Sequence, residues 1–317
     1  AQHTRDGGAM TRVSQDPGLA GGGDFAAACR RSAHAAAAAA GLELEVILTA
    51  TRPGDGTAEL ALSVAPDARL ISNAENVGFG RACNQGFEAA TGRWWLLLNP
   101  DATLRPDALA ELVGFAASHP RAGAVAPTLM GAGLDRAESA GMQPSLRSAI
   151  GHFLLVNRLL SENQGGAWRG IQVQRRPALG PRRLEWASGG ALLLRPEAVR
   201  QVGGFDASFF LYAEDVDLGR RLAEAGWETW LLPGAVAEHS IAASAGGVTD
   251  RWFVALHDYY GRSAGGFQLL LFDLIAGVGL SLRALLPGGD GLHRRRMLVA
   301  ARAAFRCALR PGRRAPS

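Results

Sequence analysis

The sequence predicts an α/β protein built on a mostly parallel sheet with helices on both faces, followed by a helical, basic C-terminus. Three observations carry this expectation. Short β-branched or apolar runs alternate with alanine-rich or amphipathic segments through the first half of the chain; these runs end in turn-forming residues such as Asn99-Pro100-Asp101; and the alternation stops after about residue 265, where a long apolar segment and an acid-free tail begin.

Taken in order, Asp24 to Ala40 reads as a helix closed by Gly41, and Leu44 to Thr49 as a strand running into the turn Pro53-Gly54-Asp55-Gly56. Thr57 to Val64 is expected to be a second helix, Arg69 to Ser72 a strand, Gly80 to Ala90 a helix, and Trp94 to Leu98 a third apolar strand. Asp107 to Ser118 is helical and Ala122 to Pro127 strand-like. Gly131 to Glu185 has weak periodicity and is rich in Gly, Gln and Arg, which predicts a mobile functional segment rather than core. Order returns with the strand Ala191 to Leu194, a helix from Glu214 to Ala225 closed by Gly226, and the strand Glu228 to Leu232.

Composition bounds the function. With 317 residues, 48% of them hydrophobic and 20% charged, the chain can bury one large core or two small ones. Its 33 basic residues are all arginine, which excludes a P-loop nucleotidase, a protein kinase and Schiff-base chemistry, since each needs a lysine. Cys29, Cys83 and Cys307 are too scattered for a metal knuckle and odd in number, which fits a reducing, cytoplasmic setting. The net charge of +4 is uneven: the residues from Gly291 onward include eight arginines and no acid, so the rest of the chain is net acidic. A basic tail suits an anionic membrane surface or nucleic acid, and is also what a solvated tail looks like.

The first residues lack a charged region leading into an apolar stretch, so no secretory signal is expected, and Met10 is a candidate start. Phe267 to Leu286 is apolar but interrupted by Asp273 and Arg283, which argues against a spanning helix. It leaves two readings open, an interfacial helix and a buried core helix.

Three segments carry candidate chemistry. Asp101 follows the apolar strand, with Asn99 beside it, at the strand end where α/β sheets bind ligands; a carboxylate there suits a magnesium or manganese ion completed by phosphates, although the same residues also make a good turn. Gly78 and Gly80 precede a helix start whose free N–H groups favour phosphate, without the spacing of a dinucleotide fingerprint. Glu214, Asp215 and Asp217 cluster in one helical turn, where they serve either the helix dipole or, near Phe209, Phe210 and Tyr212, general-base chemistry. Gly261-Arg262-Ser263-Ala264-Gly265 matches a nucleophile elbow, but it lacks the preceding strand that such an elbow needs.

Four segments in this order resemble glycosyltransferase family 2, of GT-A fold, and most closely its rhamnosyltransferase-like branch. They are NVGFGRACNQG (76–86), LLLNPDATLRPDAL (96–109), WASGGALLLR (186–195) and VGGFDASFFLYAEDVDLGRRLAEAG (202–226), followed by His239. The resemblance spans roughly residues 24–265. It implies a GT-A domain there, made of a Rossmann-like nucleotide-binding half and an acceptor-binding half, after an atypical segment 1–23 and before a helical, possible membrane-surface extension 266–317.

The resemblance also implies an inverting transfer of a sugar, rhamnose by the branch, from a nucleotide-diphospho-sugar to a lipid-linked or polysaccharide acceptor. Asp215 matches the base and Glu214 its catalytic neighbour. Asn76, Gly78, Asn84, Asn99 and Asp101 fall on the donor side, and Trp186, Gly189, Gly190 and Tyr212 on the acceptor side. Asp101 and His239 are the implied ligands of a magnesium or manganese ion. The partners are then the donor, the acceptor and an anionic membrane rather than nucleic acid, with the enzyme peripheral at the cytoplasmic face of the membrane.

Two departures from the family pattern set further expectations. Residues upstream of the first helix are polar and contain Pro17, so the family's first strand is expected to be atypical or missing. Glu45 to Thr49 leads to Ala50 where the family has an aspartate that holds the nucleotide base. A non-catalytic GT-A protein that binds a glycan or a partner is the alternative these departures leave open.

Overall fold

The computed structural model describes residues 7–14, 22–50, 63, 66–131, 140–159, 168, 170–172, 180–239, 250–286 and 291–309. The chain divides into two compact units. The first holds strands β1 (Gly7–Ser14), β2 (Glu43–Ala50), β3 (Arg69–Ser72), β4 (Trp94–Leu98), β5 (Ala102–Leu104) and β6 (Ala122–Met130). Strand β7 (Ala140–Gly141) lies at its border; β8 (Arg182–Leu184), β9 (Trp186–Ala187), β10 (Ala191–Leu194) and β11 (Glu228–His239) complete its strands. Its helices are α1 (Gly22–Ala39), α2 (Phe79–Ala89), α3 (Ala108–Ser118), and, further along the chain, α5 (Pro196–Val202) and α6 (Glu214–Glu224); α4 (Leu146–Phe153) belongs to the second unit with α7 (Arg251–Gly261), α8 (Gly266–Leu285) and α9 (Gly291–Ala308).

The main sheet runs β3-β2-β1-β4-β10-β6-β11-β5, with β8 also on β11. Pairing is parallel from β3 to β4, and β10 enters antiparallel. Every residue of β4 is buried because both faces are covered, as a continuous apolar run requires. Trp94, Leu96 and Leu98 join α1 and α3 in one core, while Trp95 stacks on Phe87 of α2 with ring centroids 5.0 Å apart.

Of the two expectations for the first strand, atypical or missing, the structure rules out the second, because the strand is present. Gly7–Ser14 pairs in parallel with β2 over its whole length and with β4 from Gly8 to Thr11, so it is the centre of the parallel half. Two open strand edges supply ladder partners, and strand propensity is weak enough to yield to them.

The expected helix at 57–64 lies outside the described residues. The segment 131–185, read as mobile, contains α4, whose N-terminus is closed by a reciprocal Ser145–Ser148 capping box and whose Phe153 is fully buried. Strand β11 continues past Leu232 to His239 through a register shift at Pro233-Gly234. That continuation brings His239 opposite Ala102 of β5.

In the second unit, α4, α7, α8 and α9 pack around Phe153, Phe253 and Phe272. Gly279 permits a close approach: a Cβ there would sit 2.5 Å from the Phe153 carbonyl oxygen. The elbow-like 261–265 segment ends a helix, with the Ser263 amide donating to the Tyr260 carbonyl, so it has no strand before its serine.

Candidate active site

The site is built on the loop Ser188-Gly189-Gly190, which enters β10. The Gly190 carbonyl accepts the Asn99 amide at 2.9 Å, and the Ser188 hydroxyl oxygen accepts the Gly190 amide at 3.2 Å. On the other side the Gly189 amide donates to the Asp215 carboxylate. Both residues named by the two strongest motifs therefore lie one hydrogen bond from one loop. A Cβ at Gly189 would lie 2.7 Å from the ring of Phe79, which would have to shift to admit it.

Asp101 sits in the turn after β4, buried, with Oδ1 3.0 Å from His239 Nε2. The register of β5 on β11 explains the meeting, since His239 pairs with Ala102. Asn99 Nδ2 lies 3.4 Å from the same imidazole nitrogen, which thus faces a donor and an acceptor and takes either role by tautomer. The Asn99 carbonyl accepts the Cys29 thiol at 3.3 Å and the Ala102 amide at 3.0 Å, which fixes the turn.

Asp215 stands in the first turn of α6, and Val216 donates its amide to Oδ1 at 2.8 Å. Burial raises its pKa to about 6, against the lowering effect of these backbone bonds. Glu214 is pushed to about 8, by burial first and by the charge of Asp215 second. The helix is entered through two consecutive left-handed residues, Tyr212 (φ 70°) and Ala213 (φ 67°), a strained approach that aims its first turn. Gly219 brings α6 close to the Trp186 segment: a Cβ there would be 2.3 Å from the Glu185 carbonyl oxygen.

The remaining candidates have local tasks. Asn76 Oδ1 accepts the Gly78 amide at 3.0 Å. Gly78 (φ 81°) lies against Phe210, whose carbonyl accepts the Phe79 amide at 3.0 Å. Both ends of the Asn84 amide are engaged at 2.8 Å by the backbone of Phe205, so Asn84 ties α2 to the loop before α6. Trp186 is buried behind α6.

The sequence reading placed Ser188 only within the acceptor-side WASGG stretch and gave Cys29 no part in the site. A serine two residues before a turn amide is a legible signal; a thiol reaching across the fold leaves none. It also missed Thr49, a residue 1% exposed near the end of β2, whose hydroxyl has no hydrogen-bond partner among the described residues.

The profile of glycosyl transferase family 2 matches residues 26–180, and that of glycosyl transferase family group 2 matches residues 171–285. An N-acetylglucosaminyl-diphospho-decaprenol L-rhamnosyltransferase of Mycobacterium tuberculosis is 34% identical over 219 residues, covering 64% of this chain and 68% of that protein. The chain belongs to glycosyl transferase family 2. A pre-mycofactocin glycosyltransferase of the same organism is 27% identical over 240 residues, 74% of this chain and 45% of that protein.

Among solved structures, the mannosyltransferase PcManGT from Pyrobaculum calidifontis, in complex with GDP-Man and Mn2+, is similar with a TM-score of 0.56 and 16% identity. That likeness covers 96% of this chain and 85% of that one. GalNAc-T7 with UDP, GalNAc and Mn2+ gives a TM-score of 0.54 at 13% identity over 95% of this chain, which spans 55% of that protein. The fold of this family 2 glycosyltransferase is therefore GT-A.

Proposed function

We propose that this family 2 enzyme transfers a sugar, rhamnose first among the candidates, from a nucleotide-diphospho-sugar to a lipid-linked or polysaccharide acceptor with inversion at the anomeric carbon. The observation that carries the reading is the Ser188-Gly190 loop, which fixes Asp215 and the Asn99–Asp101 turn together. Its substrate class follows the lipid-linked rhamnosyl transfer in the name of the Mycobacterium relative.

In this reading Asp215 takes the proton of the acceptor hydroxyl as its oxygen bonds to the anomeric carbon; the bond to the diphosphate breaks, and its electron pair leaves with the diphosphate. Asp101 and His239 fit a divalent ion: the carboxylate is buried at the strand end and the imidazole is in contact with it. No group of three such side chains occurs among the described residues, so the donor diphosphate would complete the coordination, as is usual for magnesium or manganese. A bound cation supplies charge neutralisation for the departing diphosphate. The chain's own part is to hold Asp101 by the Asn99 turn and Asp215 by Gly189.

The second unit supports action at a membrane surface. Helix α8 is long and apolar enough to cross a membrane by length and composition. Its two charges nevertheless turn inward: Asp273 meets His257 at 2.9 Å, and Arg283 donates to the His152 carbonyl. Its exposed side is an apolar stripe of Phe267 (72% exposed), Leu270, Leu274, Val278, Leu282 and Leu285 (78%), at helical spacing. Arg294, Arg295, Arg296 and Arg302 are exposed on α9. This pattern suits a helix lying in the interface of an anionic membrane, at the cytoplasmic face.

The test is turnover by the full chain with dTDP-, UDP- and GDP-sugars, a polyprenyl-diphospho-N-acetylglucosamine acceptor, and Mn2+ or Mg2+. Cation-dependent release of nucleoside diphosphate is expected with one donor. A folded protein that neither binds nor turns over any of them would overturn the reading.

A further inference from the structure

The first turn of α6 carries three acids, and the fold treats each one differently. Asp217, 2% exposed, is held by Arg220 Nη2 at 2.7 Å and by Arg221 Nε at 2.6 Å. Asp215 takes the Val216 and Gly189 amides. Glu214, 5% exposed, has neither kind of support. Its Oε2 has no hydrogen-bond partner, and no cationic side chain pairs with it, among the described residues. The backbone amide that it takes is its own.

The titratable group facing Glu214 from a neighbouring element is Cys83 of α2, itself buried, whose thiol is kept protonated by burial first and by Glu214 second. A charge at Glu214 would thus be dry, without a counter-ion, and next to the charge of Asp215. Retaining the proton removes all three penalties.

We infer that Glu214 works as a neutral carboxylic acid and is a positioning residue, whose retained proton leaves Asp215 as the single negative charge facing the acceptor. The part about Asp215 rests on the proposed transfer; the proton on Glu214 does not. The order of the two titrations agrees, with Asp215 ionising near 6 and Glu214 near 8. Ionisation of Glu214 at alkaline pH puts a second charge in the same turn and should reduce turnover.

The experiment is infrared difference spectroscopy of the full chain titrated between acid and alkaline pH, with Glu214→Gln and Asp215→Asn beside it. At pH 7 the wild type should show a protonated-carboxyl stretch that is lost above about pH 8. The band should be absent from Glu214→Gln, and in Asp215→Asn it should disappear at lower pH than in the wild type, because the neighbouring charge is gone. In turnover, Glu214→Gln should keep the acid limb near pH 6 and lose the alkaline decline.

Carbon-13 titration of glutamate-labelled wild type gives the same answer without a variant. Absence of the band at pH 7, or its survival in Glu214→Gln, overturns the inference. A band that behaves as expected in a protein without transferase activity would uphold the proton on Glu214 and remove the role given to Asp215.

Discussion

The Gly189 amide donates to the carboxylate of Asp215 from the same loop whose next residue, Gly190, accepts the Asn99 amide. In the proposed role as base, a carboxylate placed by a backbone N–H keeps its position without a side-chain partner that would compete for its proton. It can therefore be removed with little change to the donor side.

Asp215→Asn should lower kcat by at least about 10²-fold and leave nucleotide-sugar binding nearly unchanged, since proton transfer counts in the transition state. Steady-state kinetics with calorimetric donor binding checks this. An equal loss of donor affinity would make Asp215 a helix cap.

Asp101→Ala should act on the other side. It removes the carboxylate 3.0 Å from His239, and cation-dependent nucleotide affinity should fall by about tenfold or more. Thermal-shift titrations with a nucleoside diphosphate, with and without Mn2+, read this directly. Stabilisation that is equal with and without the cation, in both proteins, would contradict it.

Stability should also depend on pH through the acidic pair. Glu214 titrates near 8 in the fold against an ordinary value of 4.5, and Asp215 near 6 against 3.8. Across those windows the folded chain holds protons that the unfolded chain has released, so stability is full below them and is lost as pH rises through them. Glu214→Gln should flatten the decline in Tm between about pH 4.5 and 8. Parallel Tm profiles for the two proteins would show that Glu214 is ionised in the fold.

Gly219→Ala tests the contact that seats α6. The added carbon meets the Glu185 carbonyl at 2.3 Å and Trp186 Cα at 2.8 Å, both backbone atoms, so the helix must move. Overpacking of this kind costs about 1–3 kcal/mol. Denaturant unfolding should show the loss, and kcat should fall further than donor affinity, because Asp215 moves with the helix.

How much of this was legible in the sequence depended on how local each feature is. Strand β4 and helix α6 announce themselves by an apolar run and by helical spacing. The GxSxG segment could be set aside because the residues before it read as a helix. Strand β1 could not be seen, because its place is assigned by two partners that come later in the chain rather than by its own residues. The pairing of Asp101 with His239 was reached through family resemblance, since it depends on a strand register and a bulge at Pro233-Gly234. The proton on Glu214 depends on what surrounds a buried carboxyl, which spacing does not report.

For the membrane surface, the full chain should co-sediment with anionic vesicles and less with neutral ones. Binding should weaken clearly by about 0.5 M salt, where screening shortens the reach of surface charge. Arg294→Glu, Arg295→Glu and Arg296→Glu together should abolish the preference, each arginine near such a surface contributing about 1 kcal/mol. Equal sedimentation with neutral vesicles would leave α8 as a packed helix with an exposed apolar side.

The position of β1 bears on how this enzyme can be shortened or fused. Trimming a chain usually frays a margin, but here residues 7–14 are the middle of the parallel half of the sheet. Translation begun at Met10 would delete Gly7, Gly8 and Ala9, and with them the rungs opposite Trp94 and Trp95. Only Met10 and Thr11 would then still pair with β4, the strand that leads into the Asp101 turn. Changes to residues 7–9 therefore act on the strand that leads into the Asp101 turn, although they are made far from it in the sequence.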